Sequence, residues 1–88
     1  MQRFELEREA FLKALAARGN SPHTQKAYGS DIAEFLTFLA DSHSDLDLNA
    51  LRQWLWVLTD AGATKSTIAR KSSSIRAFTA WLLERGVI

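Results

Sequence analysis

The sequence predicts an all-helical domain. Four segments carry apolar residues at helical spacing, each is bounded by recognisable start and stop residues, and no stretch alternates apolar and polar residues like a half-buried strand. Four helices joined by short connections and packed round one apolar core are the architecture this pattern implies, because each helix has only one stripe to bury.

The first helix is expected from Phe4 to Arg18, with Phe4, Phe11, Ala14 and Leu15 on one face. Gly19 supplies the left-handed residue that ends many helices, and Glu5, Glu7 and Glu9 suit the positive end of the helix dipole. The second helix opens at Ser21-Pro22: serine is a good N-cap, and proline fits the first helical position, where its missing N–H had no partner. Its buried face is Tyr28, Ile32, Phe35, Leu36 and Leu39, which puts His23, Lys26, Ser30 and Thr37 on the opposite side. Residues Asp41 to Asp45 form a polar loop, after which Asp47 caps a third helix with the stripe Leu48, Leu51, Leu55 and Leu58, ending before Gly62. Trp54 flanks that stripe, and Trp56 lies well off it, either covered by another helix or exposed. Thr64 caps the last helix, Lys65 to Arg85, which buries Ile68, Ile75, Phe78 and Leu82 and stops at Gly86. Ser66, Arg70, Ser73 and Ala77 share its outer face, with Arg76 on one flank.

With 88 residues, residues 1–88 are expected to form a single domain, since a second core could not be buried beside the first. An apolar share of 47% beside 24% charged residues is the balance of a folded domain. The absence of cysteine excludes a disulfide framework and a thiolate metal site. No apolar run approaches the roughly 20 residues that cross a bilayer, and the start Met1-Gln2-Arg3-Phe4-Glu5 is charged where a signal peptide turns apolar. A cytoplasmic protein with no membrane partner is therefore expected. Val87-Ile88, directly after a helix-ending glycine, reads as a domain boundary within a longer parent.

The net charge of +1 announces no partner, but the charges are unevenly spread. Residues 41–63 hold Asp41, Asp45, Asp47 and Asp60 against Arg52, whereas residues 64–88 hold Lys65, Arg70, Lys71, Arg76 and Arg85 against Glu84. The nucleotide-binding, zinc-protease and serine-hydrolase signatures are all missing. His23 and His43 stand too far apart to be paired as metal ligands in sequence. Glu5, Glu7 and Glu9 point to different sides of their helix and make a poor acid/base pair. Ser72-Ser73-Ser74 has no base near it and reads as small, hydroxyl-bearing helix surface. No cofactor, metal or small-molecule substrate is expected. The outer face of the last helix does fit a polyanion: lysine and arginine neutralise phosphates, hydroxyls donate to them, and the helix start at Thr64-Lys65-Ser66-Thr67 presents free N–H groups. The start of the second helix repeats the pattern with Ser21, Thr24, Lys26 and Ser30. Charge alone fits an ordinary solvated face equally well.

Gly19-Asn20-Ser21-Pro22-His23-Thr24-Gln25-Lys26-Ala27-Tyr28, followed by Asp31-Ile32 and Phe35-Leu36, resembles the tyrosine recombinase (phage integrase) family, the Xer-type members above all. Later, Ser66-Thr67-Ile68-Ala69-Arg70-Lys71 and Ile75-Arg76-Ala77-Phe78 resemble that family's second run, so the likeness spans nearly the whole chain in the right order. The resemblance implies a compact four-helix orthogonal bundle, the SAM-like N-terminal core-binding domain, which closes one side of a clamp on duplex DNA with its second and fourth helices. A separate catalytic domain would supply the nucleophilic tyrosine and its cationic partners, and other recombinase subunits would join on the DNA. This chain would then have no catalytic residue, and Tyr28, on the apolar stripe, is core. On this reading the DNA contacts are Lys26, Lys65, Ser66, Thr67, Arg70 and Arg76, with Thr24, Ser30 and Lys71 in second rank. Two positions depart from the family's pattern. Gly29 stands where a basic residue is common, forgoing a phosphate contact and about 1 kcal/mol of helix propensity, and Ser72 replaces a usual leucine, loosening the last helix. Rival readings are a protein-interaction module anchored by Trp54, Trp56 and Trp81 and an independent helix-turn-helix regulator.

Overall fold

The computed structural model describes residues 3–88; Met1 and Gln2, part of the charged stretch weighed against a signal peptide, lie outside them. It contains α1 (Glu5–Ala17), α2 (Pro22–Ser42), α3 (Leu48–Asp60) and α4 (Lys65–Glu84), with no strand among the described residues.

Three of the helix starts form as the sequence dictates. Ser21 Oγ accepts from Thr24 N at 3.1 Å, Asp47 Oδ1 from Ala50 N at 2.8 Å and Thr64 Oγ1 from Thr67 N at 3.2 Å, each satisfying a first-turn donor that has no helical partner. The end of α2 differs from expectation. The polar run beginning at Asp41 stays helical through Ser42, and His43 turns the chain with φ 52°. Ser44 N donates to Leu39 O at 2.9 Å and His43 N to Ala40 O at 3.3 Å, the same paired closure that Gly62 and Ala63 make on Leu58 and Thr59 after α3. Polar residues hid this stop because no glycine marks it.

The core is centred on Phe35 of α2 and Phe78 of α4, both fully buried, with Ile32, Ile75 and Leu82 around them. α1 contributes Phe11, whose ring centroid lies 5.5 Å from that of Phe78 and 5.5 Å from that of Trp81. α3 contributes Leu51 and Trp54, the indole lying 5.1 Å from the Phe35 ring. Thus α2 and α4 pack on each other, and α1 and α3 each pack against both without approaching one another. Tyr28 is half-buried against this cluster, 6.2 Å from the Phe11 ring, as expected of a core residue.

The stripe of α3 is rotated from the expected one. Leu48 is 56% exposed while Ala50, Leu51 and Trp54 are buried, because the indole fills the space beside Phe35 and draws its own side of the helix inward. Ile68 is only half-buried, and Ser72 lines an open depression between α3 and α4 with Leu55, Thr59, Ile68 and Ala69, where the leucine usual in the family would add bulk.

Gly29 has a different role from the one expected. It is buried against α1, where a Cβ would stand 3.0 Å from Leu12 Cδ1 and 3.3 Å from Arg8 Nη1. Arg8 Nη1 donates to Gly29 O at 3.2 Å while its Nε donates to Glu5 Oε1 at 2.9 Å. Position 29 is therefore a contact between helices, where the missing side chain leaves room for the tips of Leu12 and Arg8 of α1.

Phe35→Ala removes the most central ring and should lower the unfolding free energy by about 3–5 kcal/mol, enough to threaten so small a domain. Thermal unfolding followed by circular dichroism checks it; a melting temperature within a degree or two of wild type would contradict this core.

Candidate nucleic-acid interface

α2 and α4 are joined by a buried carboxylate. Asp31 is 1% exposed, on the same stripe as Ile32 and Phe35, and an ionised side chain there must be paired because burial strips it of water. α4 supplies all its partners. Arg70 Nη2 donates to Oδ1 at 3.0 Å and Arg70 Nε to Oδ2 at 3.3 Å, Ser74 Oγ donates to Oδ2 at 2.8 Å, and Lys71 Nζ donates to Oδ1 at 3.3 Å. Lys71 also pairs with Glu34 and lies 5.9 Å over the Trp54 ring. Among the described residues no buried side-chain polar atom lacks a hydrogen-bond partner.

Lys71 thus lies elsewhere than a second-rank DNA contact should. It is buried, and its ammonium is neutralised by Asp31 and Glu34, because position 71 falls on the same helical stripe as Ile75 and Phe78. Ser74 is likewise buried, not part of a serine-covered surface. Asp31, Glu34 and Ser74 escaped the sequence reading. The available signal was an aspartate set among Tyr28, Ile32 and Phe35, since a carboxylate on an apolar stripe requires a cation on the facing helix.

The remaining expected contacts lie on the surface. Lys26 and Ser30 are exposed on α2, and Lys65, Ser66, Arg70 and Arg76 are exposed on α4. Among the described residues Lys26, Lys65 and Arg76 enter no ion pair, whereas Arg70 pairs with Asp31 and keeps 55% of its side chain exposed. Thr24 and Thr67 are half-buried and belong to the helix starts, where their hydroxyls accept from Ser21 Oγ at 3.0 Å and Thr64 Oγ1 at 3.1 Å. At 3.6 residues per turn the outer face of α4 forms a strip about 140° wide. Arg70 forms its α2 side, Lys65 and Arg76 form its α3 side, and Ser66 and Ser73 lie between them. Arg76 borders a depression lined by Leu48, Leu51 and Leu83, while Arg70 reaches Asp31, the residue after Ser30 on α2.

The three tryptophans separate clearly. Trp54 and Trp81 are core, and Trp56 is 68% exposed, which leaves an interaction module one of its three anchors. α4, at 20 residues, is long for the recognition helix of an independent helix-turn-helix regulator.

A four-helix domain with a cation-flanked strip on its last helix is the class that the fold and this face define. A family model described as the phage integrase N-terminal SAM-like domain matches residues 9–86, and the chain belongs to that family. It is similar to the tyrosine recombinase XerC of Mycobacterium bovis (strain BCG / Pasteur 1173P2), 45% identical over 73 residues, covering 80% of this chain and 24% of that protein. XerC of Mycobacterium leprae (strain TN) is 44% identical over 82 residues, covering 89% of this chain and 28% of the relative, and XerC of Mycobacterium sp. (strain JLS) is 36% identical over 86 residues, covering 91% and 29%. The chain spans about a quarter of the length of these relatives. No solved structure gave a significant match.

Asp31→Ala should lower stability by about 3 kcal/mol, because it leaves the buried Lys71 with only the half-exposed Glu34 as its partner and removes the buried part of the α2–α4 tie. Lys71→Met, which leaves Asp31 bonded to Arg70 and Ser74, should cost only about 1 kcal/mol. Urea unfolding of both variants checks the order, and Lys71→Met proving the more damaging would contradict the assignment of Asp31 as the hub.

Proposed function

We propose that the chain is the DNA-binding N-terminal domain of a site-specific tyrosine recombinase, holding duplex DNA at the recombination core with α4 and the start of α2. The observation that carries this reading is the outer strip of α4, where Lys65, Arg70 and Arg76 flank Ser66 and Ser73 in a domain of the integrase family. Small residues between cations let the helix backbone come close to a groove while the flanking charges meet phosphates on either side. Lys26 and Ser30 on α2 extend the surface, and the free N–H groups after Thr64 favour an anion at the start of α4.

The reaction of the whole recombinase, DNA integration or chromosome-dimer resolution, would lie with a separate catalytic domain and with further recombinase subunits on the same DNA. Residues 1–88 would form one folding unit of that larger protein. Tyr28 takes no part in strand cleavage on this reading, since it is half-buried and packs against Phe11 and the core cluster. No helix of the described residues is long and apolar enough to cross a membrane, and a cytoplasmic location suits a partner such as chromosomal or phage DNA.

Fluorescence anisotropy on a labelled duplex across a salt series tests the surface. Lys65→Ala and Lys26→Ala should each flatten the slope of log affinity against log salt by about 0.9 per lost phosphate contact, while Arg52→Ala on α3 should leave it unchanged. Loss of binding on changing Arg52 but not Lys65 would move the DNA to another surface. A nicked recombination-site duplex incubated with the chain should yield no covalent adduct, and an adduct mapping to Tyr28 would refute the division of labour.

A further inference from the structure

Arg70 differs from the other cations of the strip in being held. Its guanidinium has five N–H groups in one plane, and Asp31 takes those on one side, from Nε and from one position of Nη2. The second Nη2 hydrogen and both on Nη1 remain, on a side chain that is 55% exposed. Asp31 cannot swing away with it, because Ser74 Oγ fixes Oδ2 at 2.8 Å, Lys71 Nζ fixes Oδ1 at 3.3 Å, and Ile32 and Ile75 beside them are in the packed core. The four ionised groups, Asp31 and Glu34 against Arg70 and Lys71, cancel in formal charge. A neutral cluster adds little long-range pull on a polyanion; what it offers is a planar pair of donors at a fixed angle. Lys26 and Lys65, which enter no ion pair among the described residues, suit diffuse attraction instead.

We propose that Asp31 is a positioning residue for DNA recognition: it clamps one edge of the Arg70 guanidinium so that the Nη1–Nη2 edge meets a pair of adjacent acceptors on the duplex. This rests on the DNA-binding reading above. Two sources present such a pair, the O6 and N7 atoms of a guanine in the major groove and two non-bridging oxygens of one phosphate. Orientation fixed in the free protein means that little side-chain freedom is lost on binding, and a lysine at position 70 would keep the charge but not the fork.

The test is a set of variants of the 88-residue chain, Arg70→Lys, Asp31→Asn and the double variant, with folding checked by circular dichroism and duplex affinity by anisotropy. Arg70→Lys should bind about tenfold more weakly at unchanged net charge, the loss expected of one bidentate contact. Asp31→Asn should lose a similar factor, and the double variant should be no weaker than Arg70→Lys alone, because Asp31 acts only through Arg70. A duplex with 7-deazaguanine in place of guanine separates the two acceptors. Weaker wild-type binding to it, with no further loss for Arg70→Lys, assigns guanine, whereas unchanged wild-type binding together with a salt slope flattened in Arg70→Lys assigns phosphate. If Asp31→Asn does not fold, Arg70→Lys decides alone, and a folded Arg70→Lys binding as tightly as wild type overturns the proposal. Multiplying losses in the double variant also overturn it, since Asp31 would then act independently of Arg70. Weakening by Lys65→Ala while Arg70→Lys and Asp31→Asn bind normally defeats this inference and spares the DNA surface; failure of the wild-type chain to bind duplex defeats both.

Discussion

The Asp31 carboxylate fixes how α2 and α4 lie on each other, and most of the domain follows from that pairing. An ionised group with 1% exposure is tolerated only where several donors converge on it, and all four hydrogen bonds come from Arg70, Lys71 and Ser74 on two successive turns of α4. Hydrophobic packing of Ile32 and Phe35 against Ile75 and Phe78 supplies the larger share of the stabilisation, but apolar contact is non-directional and would accept neighbouring registers. Sliding α4 by one turn would leave the buried carboxylate without its donors. The buried charge thus acts against wrong arrangements more than it strengthens the right one.

The same pairing lets α4 serve two surfaces. Its inner stripe, Lys71, Ser74, Ile75, Phe78 and Leu82, closes the core, while Lys65, Ser66, Arg70, Ser73 and Arg76 stay outside on the opposite side of the helix. Arg70 stands at the boundary between them, half exposed and tied to Asp31, so the rigidity of the core is handed to one side chain of the outer strip. α1 secures the arrangement from behind. Without a side chain at Gly29 its Leu12 and Arg8 approach α2 closely, and Phe11 reaches Phe78 and Trp81. The propensity that glycine costs a helix is set against an interhelical contact in which a Cβ would displace the tips of Leu12 and Arg8.

Much of this was legible in the chain itself. Ser21, Asp47 and Thr64 announce the starts of three helices because a capping side chain bonds to N–H groups two or three residues away, and Gly19, Gly62 and Gly86 mark ends for equally local reasons. The placement of Tyr28, Ile32, Phe35, Ile75, Phe78 and Leu82 in or against the core followed from helical period alone. The family was legible too, since its motifs are short and occur in order. Where inference failed, the deciding contact lay on another helix. Leu48 was expected inside and Trp54 beside the stripe, but the space next to Phe35 admitted the indole and rotated α3 accordingly.

Charge was the least legible property, because a cation in a sequence looks the same whether it faces water or a carboxylate. Lys71 read as a surface contact and is a buried partner of Asp31 and Glu34; Arg70 read as a simple phosphate ligand and is also an internal ion pair. The sequence by itself determined the helices, their caps, the principal core positions and the family, all set by interactions within a turn or by periodicity along one helix. Only the tertiary structure decided which charges are spent inside the domain and which are free for a partner, because that depends on residues about 40 positions apart meeting across the α2–α4 contact.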